Sequence, residues 1–162
     1  FKKKVHLLLI IKFFFRKLKG LHIYQMTYIK KQFISKPILV RYGETDQMGI
    51  VHHSNYLRYF EVARLEWLTA LGVSYTSMEK QGIIMPVIDA NLSYKTSALF
   101  DDSLIIHIEL DEIPKVKIKF SYEIRNQKNQ VVCLGTTSLA FLNSETRKPI
   151  RCPENFTALF RD

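Results

Sequence analysis

Tyr42-Gly-Glu-Thr-Asp46-Gln-Met-Gly49-Ile-Val-His52-His53-Ser-Asn55-Tyr56-Leu-Arg-Tyr-Phe60 is the stretch from which the rest of the chain can be read. It sets one carboxylate, Asp46, a short turn ahead of two histidines and the polar start of a helix. Gly49 permits the backbone angles that a turn over Asp46–Gly49 demands. A carboxylate facing a helix N-terminus suits cleavage of an acyl bond. The acid supplies a base or nucleophile, and the helix start supplies backbone N–H groups for the carbonyl oxygen.

Downstream, Ser54 or Asn55 is a suitable N-cap, and Tyr56, Phe60, Ala63, Trp67 and Leu71 recur at helical spacing. Leu57, Arg64 and Leu68 form the adjoining stripe, and Gly72 stands where a helix C-cap is wanted. The spacing predicts one long, broadly apolar helix. Upstream, Ile34–Tyr42 reads as a strand leading into the motif.

Beyond the helix the pattern changes to period two. Ile83–Leu92, containing Pro86, reads as one strand. Leu104, Ile106, Ile108 and Leu110 alternate with Ile105, His107, Glu109 and Asp111, and Val116, Ile118, Phe120, Tyr122 and Ile124 alternate with polar residues. The polar turn Asn126–Gln130 predicts a hairpin into a last strand over Val131–Phe141. One helix plus successive strands, without βαβ alternation, predicts an α+β fold with an antiparallel sheet.

The chain has 162 residues, the length of one domain, with 47% apolar and 24% charged residues. Its formal charge of +9 resides at one end. Residues 1–36 carry ten Lys/Arg and no acid, while residues 37–162 hold 14 basic and 15 acidic residues. The domain itself therefore gives no electrostatic reason to expect nucleic acid. Cys133 and Cys152 lack metal-ligand spacing and disulfide density, so reduced thiols in a cytoplasmic protein are expected.

Residues 1–25 form a basic, apolar extension. Lys12 breaks its hydrophobic run and no small-residue cleavage site follows, unlike a signal peptide, and the run is too short to span a membrane. Contact with an anionic membrane surface is physically open to it. The expectation is that it stands outside the fold, with translation starting at Met26 and the domain occupying residues 26–162.

Residues 40–64 resemble the hotdog-fold acyl-CoA thioesterases of the YbgC and 4-hydroxybenzoyl-CoA type. The resemblance rests on Tyr42-Gly-Glu-Thr-Asp46-Gln-Met-Gly49-Ile-Val-His-His53-Ser-Asn-Tyr56 and on Phe60-Glu61-Val-Ala-Arg64. Ala98–Asp102 and Gly135–Phe141 extend it over Thr27–Phe156. It implies a long central helix wrapped by a five- or six-stranded antiparallel sheet. It also implies a homodimer or homotetramer with active sites between subunits. The implied reaction is hydrolysis of a CoA thioester to free acid and CoA, without metal or organic cofactor. Glu44 stands where Asp is commoner, and Ser97 where many relatives have Pro.

For site residues the resemblance implies Asp46 as general base or nucleophile and His53 as positioning group and backbone N–H donor. Gly49, Val51, Asn55 and Tyr56 are its substrate-binding set, with Lys115 for a CoA phosphate. Lys117, Arg147, Lys148 and Arg151 are further basic candidates. The competing reading of Asp46 is a side chain that only organises its turn. On a continuing strand Glu44 would point away from Asp46, which argues against a carboxylate dyad. Tyr56, Phe60 and Trp67 read first as core, and Glu61 and Arg64, three apart, as an ion pair. Adjacent His52 and His53 diverge, and no His-x-x-x-His or Cys pair completes a metal site. Two rival functions stay open at this level. One is a hotdog enzyme acting on acyl-carrier-protein thioesters; the other is a non-catalytic acyl-binding or membrane-associated scaffold.

Overall fold

A strand alternation that buries every second residue needs a partner layer, and here one helix supplies it. The computed structural model describes residues 31–161, so the 1–25 extension and its membrane contact lie outside the described residues. Along the chain come β1 (Gln32–Ile34), β2 (Ile38–Leu39), α1 (Asn55–Ala70), α2 (Tyr75–Lys80), β3 (Ile83–Ile84) and β4 (Val87–Tyr94). There follow β5 (Ser103–Leu110), β6 (Lys117–Asn126), β7 (Val131–Ala140), β8 (Leu142–Asn143) and α3 (Glu154–Thr157). The main sheet is six-stranded and antiparallel, in the order β1-β5-β6-β7-β4, with β2 also on β5. No helix among the described residues is long and apolar enough to cross a membrane.

The predicted inward faces of the sheet are buried at Leu104, Ile106, Ile108 and Leu110 on β5 and at Ile118, Phe120, Tyr122 and Ile124 on β6, while Val116, which precedes β6, is exposed. They meet Tyr56, Phe60, Ala63 and Trp67 of α1 in one core. Phe60 stacks on Tyr122 with ring centroids 4.0 Å apart. Gly135 on β7 makes this approach feasible, because a Cβ there would stand 2.6 Å from the Phe60 ring.

Several boundaries differ from the sequence reading. The strand expected over Ile34–Tyr42 is two short strands and a 3-10 turn at Tyr42–Glu44. Pro37, which has no N–H to donate, stands in the break. The strand expected over Ile83–Leu92 divides at Met85–Pro86, and β3 leaves the main sheet to pair with β8. Helix α1 has 16 residues and ends where Gly72 takes a left-handed φ of 75°. A second helix, α2, follows, capped by the Ser74 side chain accepting the Ser77 N–H at 3.2 Å. The hairpin turn at Asn126–Gln130 forms as predicted, with the Asn126 side-chain oxygen accepting the N–H groups of Lys128 and Gln130.

Candidate active site

The motif loop is built on Glu44. Its carboxylate is buried and accepts the Arg41 backbone N–H at 2.8 Å, the Arg41 guanidinium at 2.7 Å and the Tyr59 hydroxyl at 2.9 Å. Its carbonyl accepts the His52 N–H and the Asn55 side-chain amide, both at 2.8 Å. Glu44 thus ties the turn to the first two turns of α1. Asn55, which the resemblance sets in the substrate-binding group, is buried and makes this brace. Ser54 occupies the N-cap position but makes no side-chain cap; its hydroxyl pairs with His52 Nδ1 at 2.8 Å.

Burial pushes the Glu44 carboxyl up, but the hydrogen bonds from Arg41 and Tyr59 outweigh it and hold the group below its ordinary 4.5. A depressed folded value means that stability from Glu44 is full above the unfolded pKa and is lost as pH falls through the folded one. Glu44→Gln is expected to cost about 1–3 kcal/mol at pH 7, read from urea midpoints. The gap between the two proteins should close on acidification below 4.5. A gap that widened in acid would contradict the assignment.

Asp46 begins the next turn. Its N–H donates to the Ile50 carbonyl and its carbonyl accepts the Gly49 N–H, both at 2.9 Å. Gly49 adopts φ 75°, the left-handed geometry for which glycine is suited. One carboxylate oxygen, Oδ1, accepts the Met48 N–H at 2.8 Å, so Asp46 does organise its turn. Among the described residues nothing donates to its other oxygen, so the structural role does not consume the carboxylate.

A second segment closes over this loop. Val51 donates its N–H to the Ala98 carbonyl at 2.8 Å, and Ile50 bridges Leu99. Between the two segments lies an open cavity of about 260 Å³ that Asp46, Val51, His53, Tyr56, Tyr94 and Lys95 help to line. Tyr56 and Tyr94 pack edge to face at 5.1 Å, and the Tyr94 hydroxyl donates to the His53 carbonyl at 3.5 Å. Burial pushes the Tyr56 hydroxyl up to about 12 and the neighbouring Cys133 thiol to about 11. Both stay protonated across the physiological range, and Asp46, His53 and Lys95 are the other ionisable side chains on the cavity besides Tyr94.

Most backbone N–H groups at the start of α1 are already engaged. The Asn55 and Tyr56 N–H groups are taken by the His52 and His53 carbonyls at 3.0 and 3.4 Å, and the Ser54 N–H by His52 Nδ1 at 3.4 Å. Among the described residues no acceptor takes the His53 N–H.

Asp46, Val51, His53 and Tyr56 are therefore brought together, with Gly49 shaping the turn. Lys115 is not with them. It lies beyond the far end of β5, where its carbonyl accepts the Cys152 N–H, so it shares a basic end with Lys117 and Arg151. The expected Glu61–Arg64 ion pair is absent among the described residues. Arg64 turns inward and donates to the Tyr122 hydroxyl at 3.0 Å, while Glu61 stays exposed. Tyr94 and Lys95 were not foreseen, since only the pairing of segments fifty residues apart brings them to Asp46.

The family model of the thioesterase-like superfamily matches residues 40–160. The chain belongs to that superfamily. YneP of Bacillus subtilis, provisionally named an acyl-CoA thioesterase, is 38% identical over 75% of this chain and 88% of its own. The acyl-CoA thioesterase YbgC of Haemophilus influenzae is 30% identical over 78% of this chain and 93% of its own. Among solved structures, a DHNA-CoA thioesterase from Staphylococcus aureus superposes with a TM-score of 0.72 at 41% identity, covering 74% of this chain and 80% of that one. The sheet and helix of this superfamily member are thus a hotdog fold, as the motif implied.

Proposed function

We propose that this thioesterase-superfamily chain hydrolyses acyl-CoA thioesters. The observation that carries the reading is the half-free Asp46 carboxylate beside the unengaged His53 N–H in one open cavity. The His53 N–H takes the thioester oxygen as charge develops on it. The free oxygen of Asp46 either removes a proton from an attacking water or attacks the carbonyl itself, giving a mixed anhydride that water cleaves. In both routes an acyl C–O bond forms, the C–S bond breaks and the departing CoA sulfur takes a proton. Thiol release by the full chain from short, long and aromatic acyl-CoAs tests this. Turnover of at least one is expected, and none across the panel would refute it.

The working unit is a pair of copies. Among the described residues strand β4 is an unpaired edge whose Val87, Ile88 and Tyr94 are about half exposed. Long apolar edges of this kind are covered in stable proteins, most simply by a two-fold copy. An antiparallel pairing centred near Ala90–Asn91 sets the Val87 end of one copy beside the Tyr94 end of the other. The Val87 end also adjoins the basic end, because Pro86 accepts the Ala140 N–H and Ala140 is in register with Lys117. Lys115, Lys117 and Arg151 of one copy then face the Asp46 cavity of the second and suit the CoA phosphates. Ala90→Lys places two like charges near the axis. It is expected to halve the sedimenting mass and to reduce turnover with it. A parent that sediments as a fully active monomer would rule the pairing out.

A further inference from the structure

Farther along α1 lies a second cavity, of about 430 Å³, between the helix and β4, β6 and β7. Trp67, Leu68, Met85, Ile118, Phe120 and Leu139 make most of its wall apolar, and the exposed Glu61 also lines it. One cation lines it, Arg64, which is only 8% exposed. The guanidinium is held by the Tyr122 hydroxyl at 3.0 Å, which in turn shares a hydrogen bond with Thr137 Oγ1 at 2.7 Å. Among the described residues no carboxylate stands within ion-pair distance of it. A guanidinium has five N–H donors, and the one recorded hydrogen bond satisfies one of them. A buried cation without a counter-charge is costly in a fold that needs it only for packing, whereas an apolar chamber with fixed, open donors is the form of a ligand site.

We propose that Arg64 determines acyl specificity. Its open N–H groups take an oxygen acceptor, carboxylate or hydroxyl, at the far end of an acyl group whose apolar body fills this cavity. The proposal rests on the thioesterase reading and on β4 pairing. Within one chain the direct way from Asp46 is shut, because the fully buried Phe60 stacks on Tyr122. Strand β4, however, lines both cavities, with Val87 at this one and Tyr94 at the Asp46 one. Antiparallel pairing joins those ends, so Arg64 of one copy reads the acyl group whose thioester lies at Asp46 of the other.

The test uses octanoyl-CoA with its ω-hydroxy and ω-carboxy counterparts. The parent is expected to favour at least one oxygen-ended substrate by about tenfold or more in kcat/KM, as a charge-assisted hydrogen bond would give; the better of the two identifies the acceptor. Arg64→Met should bring that ratio near one, and Tyr122→Phe, which loosens the guanidinium, should lower it partway. No preference in the parent, or an Arg64→Met protein that loses all three activities equally, would overturn the proposal. Co-expressed Asp46→Asn and Arg64→Met chains form mixed pairs with one intact composite site. Their preference should return; its absence would place Arg64 on the acyl group of its own chain and refute the shared site. Calorimetric affinities of the Asp46→Asn protein, with and without Arg64→Met, give the same ratio without turnover. They decide the role of Arg64 even if thioester hydrolysis fails.

Discussion

Asp46→Asn is expected to lower kcat/KM for the preferred acyl-CoA by a factor of about a hundred or more. The substitution is nearly isosteric, and an asparagine Oδ1 still accepts the Met48 N–H that Asp46 accepts at 2.8 Å. The turn and the Ile50–Leu99 bridge therefore persist, and an unchanged melting curve should show it. What disappears is the charge on the second oxygen, and an amide can neither deprotonate water nor form an anhydride. Initial rates of thiol release, measured beside the parent, give the answer. Equal activity would remove Asp46 from the chemistry and leave it as a turn organiser. A single turnover in heavy-oxygen water then tests for the anhydride route. Label on the Asp46 side chain shows water attack on the aspartyl side of an anhydride, whereas label confined to the released acid shows that water attacks the acyl carbonyl, of the thioester or of an anhydride.

The largest effect on stability is expected from Trp67→Ala. Trp67 is 2% exposed and binds the helix layer to two others. Its ring meets Phe120 of β6 edge to face at 5.1 Å and stacks on Phe160 of the C-terminal segment at 5.9 Å, with Phe156 at 6.1 Å. Truncation removes the transfer free energy of an indole and leaves a void that three aromatic rings cannot jointly refill. The cost should be about 3–5 kcal/mol, a large share of the ~5–15 kcal/mol that holds such a domain folded. Urea unfolding should show a lower midpoint with an unchanged slope, since the surface exposed on unfolding is nearly the same. A loss below about 1 kcal/mol would mean that α1 is not the keystone of the core.

Much of this fold was legible in the chain. Alternation along β5 and β6 and the helical spacing from Tyr56 to Trp67 report which faces are buried, because burial is chosen residue by residue at the period of the backbone. The motif from Tyr42 to Tyr56 was likewise legible, as was the bend at Gly49. Where the reading failed, a distant partner had overruled the local signal. Arg64 looked like the mate of Glu61 until β6 presented the Tyr122 hydroxyl, 58 positions away. Glu44 read as a strand residue, yet it is the buried brace whose carbonyl fixes His52 and Asn55.

The α+β class, the inward faces and the place of the Asp46 carboxylate could be read from local periodicity and one dense motif. The side chains around that carboxylate, the place of Lys115 at the opposite end of β5, and a buried guanidinium facing an apolar cavity beside a strand that is unpaired among the described residues came from long-range contacts. Cavities and edges are properties of surfaces brought together from distant segments. No window of neighbouring residues contains them.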